Sequence, residues 1–310
     1  VIAILGTSLN LLWTGRVLAI RMHKFLHYLS VGEAMGDLYG PVVRTITAVS
    51  GIVARLGSIA IQFQIIGQMI ALASGLLGAQ VMLMAATIVI LYSSFGGVNA
   101  VTFTDVLQFT TFSLFIPIVA LIIWKHLPNA REQVTAVLTQ GKFAPWRIMI
   151  WNNESFGSFR LFVYFIIPSL SPAIFQRILM ARDVYQARET FAIAASINTL
   201  IRVVVAWLAI LLLAENVKLD SSQLISYIID TYAYKGLKGF MVIGVMALAM
   251  STADSELNAC AVLAVHDLVK PMLPSWNVSI VAARIASVLI GTAALLLALY
   301  EVDFLQLMLF

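Results

Sequence analysis

The chain returns repeatedly to apolar runs of about 20 residues, the length an α-helix needs to cross a hydrocarbon core ~30 Å thick. Nothing constrains its fold more, because every backbone donor and acceptor at membrane depth has to be satisfied within the protein. The runs fall near residues 1–19, 42–72, 80–92, 99–124, 159–180, 190–214, 240–267 and 278–300, and residues 301–310 begin one more. Only 11% of the 310 residues are charged and 61% are hydrophobic, whereas about 25% of a soluble domain is charged. An all-α integral membrane protein, multi-pass in a lipid bilayer and most simply in a bacterial inner membrane, is the expectation. The net charge of +4 is ordinary for that class and gives no sign of a nucleic-acid partner. The basic residues divide about evenly between the two sets of loops, which leaves orientation open. The single cysteine, Cys260, has no partner for an internal disulfide and reads as a small buried residue.

The run over 240–267 departs most from plain hydrophobicity. Leu248, Ser251, Thr252, Ser255 and Asn258 follow at helical spacing and line one face, with Asp254 and Glu256 in the same segment. Polar side chains at this depth are unfavourable unless the protein uses them. Ser251 and Thr252 either bond back to the preceding turn or face an ion. A helix offers a carbonyl at i and hydroxyls at i+3 and i+4 on one side, and hard cations favour oxygen ligands. Asp254 reads as a second cation or proton site, with Ser255, or as a hydrogen-bond anchor. Asp105, near the start of the run over 99–124, reads as a cap or dipole partner or as an ion ligand.

The run over 159–180 is broken. Pro168-Ser169-Leu170-Ser171-Pro172 places two prolines within five residues, which removes two backbone donors and cannot continue a helix. The break is either a kink or part of a substrate site, in which case Ser169, Ser171 and Tyr164, one turn before Pro168, are candidate contacts. Elsewhere Ser30 and Glu33 resemble a capping box, Gly40-Pro41 breaks the chain, and 93–97 reads as a small-residue linker. Residues 126–157 form a polar segment in which Trp146 and Trp151 suit a membrane surface, and 223–234 suggest a short helix. Arg177, Arg182 and Arg188 are expected on a loop. Arg55, Arg202 and Arg284 are expected to pair with carboxylates or to snorkel. No nucleophile–base set, P-loop or metal-hydrolase cluster is present, so an enzyme is not expected.

Three stretches resemble the sodium:solute symporter family, whose members include sodium/proline, sodium/pantothenate and sodium/sugar transporters. YSSFGGVNAVTFTDVLQ (92–108) resembles the family's Tyr, Gly-Gly, Ala-Val, Thr-Asp, Gln pattern. PAIFQRILMARDVYQAR (172–188) resembles its Pro, Gln-Arg, Ala-Arg-Asp loop. MSTADSELNACAVLAVHD (250–267) resembles its Met-Ser-Ser/Thr, Asp-Ser, Leu-Asn signature. The resemblance implies a LeuT-like inverted-repeat helical bundle of two five-helix units, with sites at the repeat interface. On that mapping residues 1–124 belong to the first repeat, 125–157 connect, and 158–310 belong to the second, all in one transmembrane domain. The run over 1–19 would be the second core helix, the broken helix the sixth and the seam-bearing helix the eighth. The first core helix and most of the tenth would lie outside 1–310, so the chain is expected to be a piece of a longer protein or a truncated product.

The same resemblance implies Na⁺ as coupling ion, held by the carbonyl of Leu248 and the hydroxyls of Ser251 and Thr252, with Asp105 near the inner exit. The implied activity is symport of a small organic solute, such as an amino acid like proline, a carboxylate or a vitamin, by alternating access. Two other readings stay open: a solute-sensing module joined to a kinase domain beyond residue 310, and an inactive remnant.

Overall fold

The computed structural model describes residues 2–76, 79–140, 153–168, 171–215, 224–234, 236–273 and 279–300. Among these there are helices and no strands. Seven are long and apolar enough to cross a membrane: α1 (Ile2–Ala19), α3 (Pro41–Ser74), α4 (Ala79–Gly97), α5 (Val101–His126), α9 (Val184–Ala214), α11 (Leu237–Met272) and α12 (Ile280–Leu299). Shorter helices are α2 (Val31–Tyr39), α6 (Ala130–Leu138), α7 (Asn153–Ile166), α8 (Pro172–Leu179) and α10 (Leu224–Tyr232). The expected break appears as the interval between α7 and α8, and the expected short helix over 223–234 appears as α10. Trp146, Trp151 and the run over 301–310 lie outside the described residues.

Local chemistry sets the helix ends. Ser30 accepts from Glu33 N at 3.0 Å, the serine half of the capping-box signature, while Glu33 Oε2 accepts from Leu29 N, one residue before the cap, at 2.9 Å. Gly40, at φ 95°, turns the chain before Pro41 opens α3. The small-residue linker expected over 93–97 is instead helical up to a kink at Gly97 (φ 64°). Ser93 and Ser94 are buried, and Ser94 donates to Ile90 O at 2.6 Å, so the hydroxyl is satisfied without leaving the helix. Arg177 and Arg188 are also not on a loop. Arg177 is in α8, and Arg188 is in α9, which starts earlier than hydropathy indicates because Asp183 caps it by accepting from Gln186 N at 2.8 Å.

The chain forms two compact units whose sequences interleave. The first takes Val1–His23, Ser113–Ser169 and Ala181–Lys235. Within it α1 packs through small residues: an added Cβ on Gly6 would stand 2.7 Å from Phe165 Cβ, and one on Gly15 2.6 Å from Phe191 Cβ. Ser8 and Thr199 share a hydrogen bond of 2.6 Å. The Asn10 amide donates to Phe165 O at 3.2 Å and Ile167 O at 2.6 Å, satisfying carbonyls that the end of α7 leaves open.

The second unit takes Lys24–Phe112, Leu170–Met180 and Gly236–Phe310. Its core joins α3, α4, α11 and α12 through Phe63, Ile66, Val89, Leu257 and Ala294, with Cys260 fully buried among them. Small residues bring the helices close; a Cβ on Gly291 would lie 2.6 Å from Ile90 Cγ1. Ion pairs join helices inside this unit. Arg55 bonds Glu256 at 3.2 Å, and Arg44 bonds Asp267 at 2.9 Å and the carbonyl of His266 at 2.9 Å. Arg284 lies over the Phe95 ring at 5.3 Å. In the first unit Arg202 donates to Asn198 Oδ1 at 3.2 Å.

Candidate functional site

α11 is divided lengthwise. Ala247, Ala249, Ala253, Leu257 and Cys260 are buried in the core, while Ser251, Thr252, Ser255 and Asn258 are half-buried and Leu248 is 45% exposed. The alanines allow close approach on one side, and the hydroxyl seam occupies the other.

Asp105 is the centre of the polar arrangement around that seam. It lies one turn into α5, which begins after the kink at Gly97. Ser251 Oγ donates to its Oδ1 at 2.5 Å. Arg177, from α8, donates to its Oδ2 and, at 2.7 Å, to Ser255 Oγ. Of the residues singled out in the sequence, Asp105, Ser251 and Ser255 therefore meet in one network, and Arg177 joins them. Asp105 is not a helix cap: its carboxylate is occupied by side chains from two other helices.

Thr252 Oγ1 donates to Leu248 O at 3.1 Å. This is the back-bonded arrangement that serine and threonine adopt in apolar helices. It also sets the Leu248 carbonyl and the Thr252 hydroxyl side by side on one edge of α11, beside Ser251.

Asp254 lies at the edge of the seam, next to Asn258, and is fully buried. Tyr92 Oη donates to its Oδ2 at 2.6 Å, while Oδ1 is buried without a hydrogen-bond partner. Asn258 donates to Asp254 O at 3.0 Å and to Ser93 Oγ at 3.1 Å. Asp254 is thus hydrogen-bonded to a tyrosine from α4.

A cavity of about 20 Å³ adjoins the seam, lined among others by Thr102, Gln176, Arg177, Ser255 and Asn258. It has room for one water-sized particle. Ser171 caps α8 by accepting from Ile174 N at 3.3 Å. Tyr164 is 67% exposed and packs edge-on against Phe165, with ring centroids 5.4 Å apart. Ser169 lies outside the described residues. Arg177 and Tyr92 belong to the site's network and had no role in the sequence reading. Both stand inside the quoted motif stretches, and that position was the only signal of them.

No family model matches the chain, and no curated protein sequence does. Solved structures do match, thirteen chains among them. One is a Na⁺-coupled sialic acid symporter in a substrate-bound, outward-open state, a structure that revealed a novel Na⁺ site. The match has a TM-score of 0.77 at 16% identity and covers 99% of this chain and 75% of that one. The chain has that symporter's fold. Together with the seven long apolar helices, this makes it a multi-pass helical membrane protein.

Proposed function

We propose that the chain is the membrane domain of a Na⁺-coupled symporter of the sodium:solute symporter type, moving a small organic solute across a cell membrane by alternating access. The observation that carries the reading is the edge of α11 where the Thr252 hydroxyl bonds the Leu248 carbonyl at 3.1 Å and the neighbouring Ser251 hydroxyl meets the Asp105 carboxylate at 2.5 Å. Neutral oxygens next to one carboxylate suit a hard monovalent cation, which needs several oxygens and little compensating charge. Ser251 and Thr252 would each exchange a hydrogen bond for the ion, Asp105 would draw it toward the seam, and Ser255 with Asp254 would form a second cation or gating position.

Ser169, Ser171 and Tyr164 are the proposed solute contacts. A broken helix leaves backbone groups free to meet a solute at membrane depth. The fold of a sialic acid symporter supports coupling of solute to sodium in general; an amino acid such as proline, a carboxylate and a vitamin all remain within the proposal. The two five-helix repeats, divided at 1–124 and 158–310, belong to the same reading.

The test is flux of labelled candidate solutes into vesicles carrying the full-length protein. Uptake should require sodium and collapse when choline replaces it, and the Ser251→Ala/Thr252→Ala pair should raise the sodium concentration for half-maximal uptake at least tenfold. Uptake indifferent to the cation, or full sodium dependence in the double variant, would overturn the reading.

A further inference from the structure

Arg177 occupies the position that a free cation would need. Its guanidinium donates to Asp105 and to Ser255, while Ser251 donates to the other oxygen of the same carboxylate. A carboxylate between two such donors has its charge already matched. A sodium ion arriving at Asp105 would meet a resident positive charge a few ångströms away, and the two repel.

Two further arginines of this unit are less open. Arg44 has the Asp267 carboxylate, fully buried, and the His266 carbonyl. Arg55 has Glu256. Arg177 is the most open of the three, with 39% of its side chain exposed, against 20% for Arg44 and 31% for Arg55. It borders the cavity of about 20 Å³ that Thr102, Gln176 and Asn258 also line. That cavity fits a water and not a guanidinium, so the head group leaves the carboxylate toward its exposed side, and a water can take its place. Arg177 also sits on an eight-residue helix that begins just after the proline break.

Resting on the symporter reading above, we propose that Arg177 is a tethered cation that competes with the transported ion for Asp105. Ion binding displaces the guanidinium from the carboxylate, and return of the guanidinium expels the ion. Arg177 would then set how tightly sodium is held and how readily it leaves, without touching the solute.

The experiment measures binding of radiolabelled sodium alone to the purified full-length protein. Arg177→Gln, which keeps hydrogen-bonding capacity and removes the charge, should lower the half-saturating sodium concentration about tenfold, within the range of ordinary site-to-site coupling. Arg177→Lys, which keeps a tethered charge, should stay within about threefold of the parent. In an Asp105→Asn background the Arg177→Gln change should have no further effect. Unchanged or weaker binding in a folded Arg177→Gln protein would overturn the proposal and leave Arg177 a structural support.

A second measurement needs no variant. Modification of Arg177 by phenylglyoxal, followed by peptide mass spectrometry, should speed up when sodium is added. A rate that is unchanged or slowed by sodium would overturn the proposal. Sodium binding that depends on Ser251 and Thr252 but ignores Arg177 would remove this inference and spare the symporter reading. A parent protein that binds no sodium would remove both.

Discussion

Replacing Arg55 by methionine isolates the cost of an unpaired charge in the helical core. Arg55 Nη1 lies 3.2 Å from Glu256 Oε1, and the pair's side chains are 31% and 11% exposed. Glu256 Oε2 is already buried without a hydrogen-bond partner, so Arg55 is the carboxylate's main compensation. Breaking a fully buried pair by removing one partner costs about 3–5 kcal/mol. The pair is not fully buried, so the expectation here is about 2–4 kcal/mol. Removing both charges with volume-matched apolar residues, Arg55→Met with Glu256→Leu, should recover most of that loss, since apolar replacements of buried pairs are often neutral or stabilising. The protein carries its own reporter: Cys260 is its single cysteine and fully buried in this core. A thiol-reactive fluorogenic dye followed during a thermal ramp therefore reads unfolding of this unit directly. At roughly 2–3 °C per kcal/mol for a chain of this size, Arg55→Met should melt about 4–12 °C below the parent and the double variant within about 3 °C of it. A double variant no more stable than Arg55→Met would refute the reasoning, because the loss would then come from missing packing by the arginine stem and not from an orphaned carboxylate.

Asn10→Ala should cost about 1–2 kcal/mol, from two lost donors to the carbonyls of Phe165 and Ile167; Asn10→Gln should not rescue it fully, and tryptophan-fluorescence melting of the purified protein reads both. Gly32→Ala would place a Cβ 2.5 Å from Asp267 Oδ2, and Asp267 is fully buried and held by Arg44, so a loss of about 1–3 kcal/mol is expected from overpacking, measured in the same Cys260 assay. Burial first, and then hydrogen bonds to Glu215, raise the hydroxyl pKa of Tyr227 and Tyr232 above the ordinary 10.0. The folded state therefore holds protons that the unfolded state releases above pH ~10, so the stabilisation is complete below that pH and is lost as pH rises beyond it. Glu215→Gln should bring tyrosinate absorbance in at lower pH; a titration curve that does not move would exclude Glu215 as a cause.

The membrane architecture was legible because it rests on run length and charge scarcity, which survive any arrangement of neighbours. The helix break was legible for a similarly local reason: Pro168 and Pro172 remove two backbone donors within five residues, whereas the lone Pro117 leaves α5 continuous. Expected boundaries failed where a side chain acted on its own backbone. Ser93 and Ser94 look like linker residues, yet Ser94 bonds back to Ile90 and the helix continues. Asp183 looks like part of an Arg-rich loop, yet it caps α9. The seam on α11 was legible from spacing, and so was Asp105 as a residue of interest. What spacing could not give was pairing across the chain. Arg177 stands 72 residues from Asp105 and 78 from Ser255, and helical periodicity carries no information over such separations. The same holds for Tyr92 and Asp254, 162 residues apart.

The pairings of α11 separate what is fixed from what can exchange. Along α3 and α11, Arg44 meets Asp267 and Arg55 meets Glu256; both intervals are eleven residues, close to three helical turns, so the pairs lie on matching faces of antiparallel helices. Sliding α11 along α3 by one turn would break both pairs at once and leave carboxylates buried without cations, which is costly. Asp267 also sits in a π-helical stretch, Leu263–Val269, against Gly32, which leaves no space for a side chain there. The seam side has no such lock. Asp105 is held by a hydroxyl and by an arginine more open than the other two, and Thr252 is bonded only to its own helix. A hydroxyl released from a carbonyl one turn back is re-satisfied by an arriving cation at little cost, whereas a displaced Arg44 or Arg55 has no comparable substitute. Under the proposed function, exchange at the Asp105 edge and movement of α8 are the changes these pairings leave open, with α11 and α3 travelling as one body.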